Sequence, residues 1–207
     1  MNKTSINWPR LDYTWNPVVG CKHGCSYCYA KKISNRFHMI PKWEEPVFFP
    51  GRLGEPAKVK KPSIIFVGSM CDLFGDWVPN NWIIDTIKTC RENPQHTFMF
   101  LTKNSKRYRE FKFPNNCMLG VTITSKHDLN DFYKNKGFLN YNKSFISIEP
   151  LLGDFMGVVF NGWDLVIVGA MTGPGAIKPK KEWIDSIKHH NIFYKENIKQ
   201  YMDVPNA

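Results

Sequence analysis

Cys21-Lys-His-Gly-Cys25-Ser-Tyr-Cys28-Tyr29 is the stretch from which the rest of the chain is read. Three cysteines stand at spacings of four and three within eight residues. A buried structural thiol needs no neighbour of its kind, whereas thiolates crowded this tightly are placed to share one metal centre. A structural zinc site or a stored iron–sulfur cluster usually takes four protein ligands. Here the run stops at three, and the next cysteine is Cys71. A cluster held by three ligands leaves one iron open, and an open position is where chemistry occurs. The same loop also allows zinc, with His23 as a fourth ligand.

Downstream of this loop the pattern alternates strands and helices, which argues for an α/β layout with a parallel sheet. Residues 13–19 lead into the loop as a first strand, and 29–38 read as a short helix carrying Lys31, Lys32 and Arg36. Residues 41–62 are Pro-rich and irregular, a long connection of the kind that often carries function. Apolar runs at 63–68, 97–102, 117–124, 144–149 and 164–169 have the composition of buried parallel strands. Helices are expected near 79–92, 105–110, 126–134 and 180–190, with a closing strand at 192–195. No second domain or repeat is visible, so residues 1–207 are expected to form one domain.

A chain of 207 residues with 43% hydrophobic and 14% aromatic content describes a folded domain with a substantial core. No apolar run is long enough to span a bilayer. The first residues lack the apolar core of a signal peptide, so a cytoplasmic location and no membrane partner are expected. Six cysteines without export argue against a disulfide framework; Cys90 and Cys117 fall in apolar patterns and are expected in the core. A formal net charge of +10 points either to a polyanionic partner, nucleic acid first, or to a generally basic solvated surface. Oligomeric state is not legible.

The spacing C-x3-C-x2-C, with the aromatic Tyr27 directly before the last cysteine, resembles the signature of the radical S-adenosylmethionine (SAM) enzymes. The resemblance implies a 4Fe–4S cluster on Cys21, Cys25 and Cys28. It also implies SAM bound at the open iron, an external one-electron reductant, and reductive cleavage of SAM to a 5′-deoxyadenosyl radical. The implied fold is a partial TIM barrel of about six βα units, with its site at the C-terminal ends of the strands. Further pieces match in order: Thr14-Trp-Asn-Pro17, Phe66-Val-Gly-Ser-Met-Cys-Asp-Leu-Phe74, Leu101-Thr-Lys103, Ile148-Glu-Pro-Leu-Leu-Gly153 and Val166-Ile-Val-Gly-Ala-Met-Thr-Gly-Pro-Gly175. Together they resemble the three-Cys-motif phage protein family, which is radical-SAM-like and related in motif to spore photoproduct lyase. A phage origin would place the protein in the host cytoplasm.

Strand ends supply the remaining candidates. By the resemblance, Gly68, Ser69 and Asp72 stand where the amino group of SAM is held; a plain turn capped by Asp72 is the alternative. Lys103 suits a SAM carboxylate or a substrate phosphate, or is simply solvated. Thr122 and Thr124 suit the carboxylate or ribose of SAM, or reflect strand propensity. Glu149 ends an apolar strand, where an ionised carboxylate needs a partner: a ligand hydroxyl, or a structural ion pair. Gly169 opens a glycine-rich loop that would let backbone approach adenine or substrate. Tyr27 inherits an adenine contact, and Trp15 is expected in the core beneath the cluster. Cys71 is either a hydrogen donor to a substrate radical or a buried structural thiol.

Three functions follow: a radical SAM enzyme on nucleic acid or nucleotide, one on a peptide or small metabolite, and a metal-stabilised nucleic-acid-binding protein without catalysis. The absence of a second cysteine cluster and the short chain favour the first. Lys103, Lys106, Arg107, Arg109, Lys178, Lys180 and Lys181 follow strands and are expected on the face of the site. Lys58, Lys60 and Lys61 precede one and are expected opposite. Tyr108 and Phe74 are candidates to stack an exposed base.

Overall fold

The computed structural model of the chain describes residues 1–129 and 142–202. Its frame is an eight-stranded sheet in the order β1-β2-β5-β6-β7-β8-β9-β10. The members are β1 (Asn2–Lys3), β2 (Tyr13–Trp15), β5 (Ile64–Val67), β6 (Thr97–Thr102), β7 (Cys117–Thr122), β8 (Ser144–Ile148), β9 (Leu165–Val168) and β10 (Ile192–Tyr194). From β2 to β10 every pairing is parallel, and only β1 runs antiparallel to its neighbour. This is the expected α/β partial TIM barrel, with β10 closing the series after the six expected strands.

Side chains divide between the two faces with period two. Ile65, Val67, Phe98, Phe100, Ile146, Ile148, Val166 and Val168 point into the main core with the helices. Phe66, Met99, Phe145 and Ile167 point to the concave face, where Trp8 covers them. Burial on both faces is why these strands read as continuous apolar runs rather than alternating ones.

Helix α1 (Tyr29–Phe37) follows the cysteine loop, α2 (Asn80–Glu92) follows β5, α3 (Lys181–Asp185) follows β9, and α4 (Glu196–Lys199) follows β10. Several expected elements are revised. The first strand breaks at Asn16-Pro17: proline has no N–H for the ladder, and the chain leaves the main sheet there. Val18–Val19 (β3) instead pairs antiparallel with Val47–Phe48 (β4), inside the stretch expected to be irregular. Residues 105–110 form a 3-10 turn rather than a helix. Near 126 the observed element is a short 3-10 turn, Lys126–Asp128, with a Ser125/Asp128 capping box; the rest of the helix expected there falls on residues 130–134, outside the described residues. The helix expected at 180–190 stops at Asp185, and His189 then holds Trp163 O and Asn191 O instead of continuing it. No helix among the described residues is long and apolar enough to cross a membrane.

Candidate active site

The cysteine loop leaves β3 at the C-terminal edge of the sheet and is pinned at once. Gly20 N–H donates to Met70 O at 2.9 Å and Cys21 N–H to Trp43 O at 3.0 Å, while Gly20 also bridges Cys71. Cys28 then caps α1: its Sγ accepts from Lys31 N–H at 3.4 Å, the place usually held by an oxygen-bearing side chain. All six cysteines are free. Cys90 and Cys117 are buried in the core, as expected, and so is Trp15. Burial pushes the Cys21 thiol up to about 11, so without metal it stays protonated at neutral pH, and metal binding there must release a proton.

Cys21, Cys25 and Cys28 share one cavity of about 360 Å³ with Tyr27, Gly68, Ser69, Cys71, Asp72, Lys103, Thr122 and Glu149. Parallel pairing is what gathers them, because every strand ends on the same side. Gly169 does not line the cavity, and Thr124 is turned away, its hydroxyl donating to Asp128 at 2.8 Å.

Asp72 holds the turn after β5 together. Its Oδ1 accepts from Phe74 N–H at 3.1 Å and from the Thr102 hydroxyl at 2.7 Å; its Oδ2 accepts from Lys103 N–H at 2.9 Å and faces His23 Nε2 at 2.7 Å. The capping alternative describes these contacts, and a ligand amino group would have to share them. Gly68 takes φ +80 at this turn, a conformation glycine adopts without cost. Ser69 exchanges hydrogen bonds with the Asn16 side chain at 3.1 and 3.2 Å, and its carbonyl accepts from Tyr29 OH at 2.9 Å. Lys103 Nζ lies 5.7 Å from the centroid of the Tyr27 ring. Burial raises the Cys71 thiol, and the charge of Asp72 adds to the effect.

Glu149 stands on the opposite wall. Oε1 pairs with Lys195 Nζ at 2.6 Å, and Oε2 accepts from Trp8 Nε1 at 2.8 Å and Ser147 Oγ at 2.9 Å. The ion-pair alternative is therefore what this structure contains, on a wall that still lines the cavity. Gly169 makes room for it: a Cβ there would stand 2.7 Å from Glu149 Oε1 and 3.0 Å from Lys195 Cδ. The family described as "Protein of unknown function (DUF5131)" matches residues 3–198. The chain belongs to that family.

Solved structures resemble the DUF5131 chain in fold. Spore photoproduct lyase complexed with dinucleoside spore photoproduct superposes with TM-score 0.59 at 11% identity, over 82% of this chain and 58% of that one. A single mutant of the same enzyme gives TM-score 0.54 at 13% identity, over 72% and 48%. A double mutant with bound AdoMet and dinucleoside spore photoproduct gives 0.52 at 12%, again over 72% and 48%. The DUF5131 chain thus spans about half the length of these structures. No match is found among curated proteins.

Sequence reasoning missed four residues that shape this site in the DUF5131 protein: Trp8, Asn16, His23 as a partner of Asp72, and Lys195. Lys195 follows β10, so the strand-end rule could have found it. Trp8 lies in an aperiodic segment that carries no signal. Two expectations about the mouth are corrected. Phe74 and Tyr108 are 0% and 2% exposed and pack edge-on, centroids 4.6 Å apart, so neither can stack a base. Arg107 is 5% exposed, and its guanidinium donates to Gly75 O, Val78 O and Asn80 Oδ1; it ties the β5–α2 connection rather than meeting a partner.

Proposed function

We propose that this protein is a radical SAM enzyme that acts on a nucleic acid or nucleotide. The observation that carries the reading is the convergence of Cys21, Cys25 and Cys28 with the ends of β5, β6, β7 and β8 on one cavity. The donor set fits a 4Fe–4S cluster. Three free thiols, each partly exposed, lie on one short loop, and among the described residues no three His, Cys, Asp or Glu converge as a site for a single metal ion. A cluster spreads its thiolates wider than one ion does. His23, the fourth ligand of the zinc alternative, is engaged with Asp72. When bound, the cluster and SAM supply one-electron cleavage of the sulfonium, giving a carbon radical that can take hydrogen from a substrate.

The chain's own residues then have separable tasks. Cys21, Cys25 and Cys28 hold the cluster, and the Asp72–His23 contact fixes their loop. Tyr27 offers a ring face to adenine, and Lys103 beside it offers a cation to a carboxylate or phosphate. Gly68, Ser69 and Thr122 present backbone and hydroxyl groups along the same rim. The Glu149–Lys195 pair forms a polar wall whose charges cancel, leaving donors and acceptors for a ribose. Cys71 keeps its proton in this environment and is placed to give a hydrogen atom to a substrate radical. The net charge of +10 and the dinucleoside held by spore photoproduct lyase of similar fold support a nucleic acid or nucleotide substrate. The three-Cys-motif phage family remains the source that the motifs suggest.

Anaerobic reconstitution with iron, sulfide, SAM and dithionite tests the reading, scored as 5′-deoxyadenosine with and without DNA or RNA. The expected result is cleavage that is lost in Cys21→Ala, Cys25→Ala and Cys28→Ala and stimulated by one nucleic acid. Binding of that nucleic acid should weaken steeply with salt. A triple Ala variant that still takes up iron and sulfide stoichiometrically would remove the basis of the proposal.

A further inference from the structure

Helix α1 turns an apolar stripe to solvent beside the cysteines. Tyr29, Ile33 and Phe37 are 50%, 40% and 66% exposed, and their spacing of four places them along one line of the helix. The buried side of α1 is Ala30 and Ser34, so the stripe is not the core-facing side. Aligned exposed apolar side chains of this kind mark interaction surfaces. Lys32 and Arg36 flank the stripe, both exposed, and the Arg36 guanidinium sits 5.4 Å from the Phe37 ring centroid.

The charge around it has one sign. Between Asp12 and Glu44 the chain has no Asp or Glu and five Lys or Arg. Lys31 pairs with Glu44 and Lys42 with Glu45, while Lys22, Lys32 and Arg36 form no ion pair among the described residues. The stripe also starts at the cysteine loop, because Cys28 is the N-cap of α1. A second cavity, of about 340 Å³, lies between loop and helix and is lined by Cys21, Cys25, Cys28, Lys31 and Lys32 among others. The thiols are thus approachable from the flank that α1 borders, as well as from the main cavity.

We propose that this face of α1 docks an acidic, flavin-bearing one-electron carrier protein that reduces the cluster; the inference rests on the cluster reading given above. One electron leaves the reduced flavin and enters the cluster held by Cys21, Cys25 and Cys28, and no atom is exchanged. Electron-transfer interfaces are small and transient, with an apolar centre inside a charged rim. Lys22, Lys32 and Arg36 steer an acidic partner to the face, and Ile33 and Phe37 give it an apolar contact. A nucleic acid would be drawn by the same cations, but Ile33 offers a base neither a ring to stack on nor a hydrogen bond.

The test uses the cluster-loaded full chain and reduced flavodoxin as the carrier. Bleaching of the cluster absorbance is followed for wild type, Lys32→Glu/Arg36→Glu, Ile33→Ser/Phe37→Ser, and a control with Lys58, Lys60 and Lys61 changed to Glu. The carrier should bleach both α1 variants at least tenfold more slowly than wild type and the control, while dithionite bleaches all four alike. Equal rates with the carrier across all four overturn the proposal. Binding of oxidised flavodoxin at low salt is measured in parallel on the same chains, and loss of affinity in the α1 variants alone is expected. If dithionite finds no cluster to bleach in wild type, the cluster reading fails, and the binding arm still decides the surface: equal affinities there overturn it. If the α1 variants instead lose affinity only for a single-stranded oligonucleotide, the surface is a nucleic-acid site and the docking proposal is wrong.

Discussion

His23 Nε2 stands 2.7 Å from Asp72 Oδ2, so a ring between the first two cysteines is fastened to the turn after β5. The ring also lies edge-on against Trp77, centroids 4.8 Å apart. The same carboxylate accepts from Thr102 at the end of β6. One buried group therefore couples the cysteine loop to two strands of the sheet, and its removal should be felt in both places.

Asp72→Ala leaves buried donors of Phe74, Thr102 and Lys103 without an acceptor, and each such orphan costs about 1–3 kcal/mol. We expect the variant to lose at least about 2 kcal/mol by denaturant titration and to retain less iron after reconstitution. His23→Ala should cost less stability, roughly 1 kcal/mol, with a comparable loss of iron. A variant at residue 72 as stable as wild type would mean that the turn does not depend on these bonds.

Cys28 separates capping from metal binding. Cys28→Ser keeps an acceptor for Lys31 N–H and should leave the melting temperature near that of wild type while removing iron. Cys28→Ala loses both and should be about 1 kcal/mol less stable than the serine variant. Equal melting temperatures for the two would show that the thiol contributes nothing as a cap.

Gly169 and Glu149 should be energetically coupled. Gly169→Ala drives a Cβ to 2.7 Å from Glu149 Oε1, and crowding of this kind costs about 1–3 kcal/mol. In Glu149→Ala the obstructing carboxylate is gone, so the double variant should be more stable than the two single losses predict. A strictly additive double-mutant cycle would contradict the packing described.

Arg107 and Lys106 are neighbours with opposite roles. Arg107→Ala frees the Gly75 and Val78 carbonyls in the interior and should cost at least about 2 kcal/mol. Lys106 is exposed and only 3.7 Å from Asp76, and Lys106→Ala should change stability by less than about 0.5 kcal/mol. Thermal melts of the two variants give the contrast directly.

What could be read from the residues was whatever a strand's own composition decides. Thr97–Thr102 was placed to the residue because an apolar run ends there at Lys103, and parallel strands then bring Gly68, Lys103, Thr122 and Glu149 to one edge. What could not be read was set by partners far along the chain. Val18 and Val19 look like a continuation of β2 until Pro17 turns them toward Val47 and Phe48. Phe74 and Tyr108 follow strand ends, as site residues do, but α2 and the 105–110 turn close over them. Glu149 was correctly given a need for a partner, whereas its partners Trp8 and Lys195 stand 141 and 46 positions away.

The Trp8 contact also bears on the order in which the molecule is made. Its indole bonds to Glu149 across 141 positions of sequence, and Asn7 beside it accepts from Glu196 N–H across 189. Closing such long loops is entropically costly and slow, so these contacts belong among the last to form. The polar wall of the cavity is therefore absent from any partly synthesised or partly folded chain. The three cysteines, by contrast, are adjacent from the moment they leave the ribosome. A chain that captures iron early would hold it on an open loop, facing water, until Trp8 and β10 arrive to enclose it.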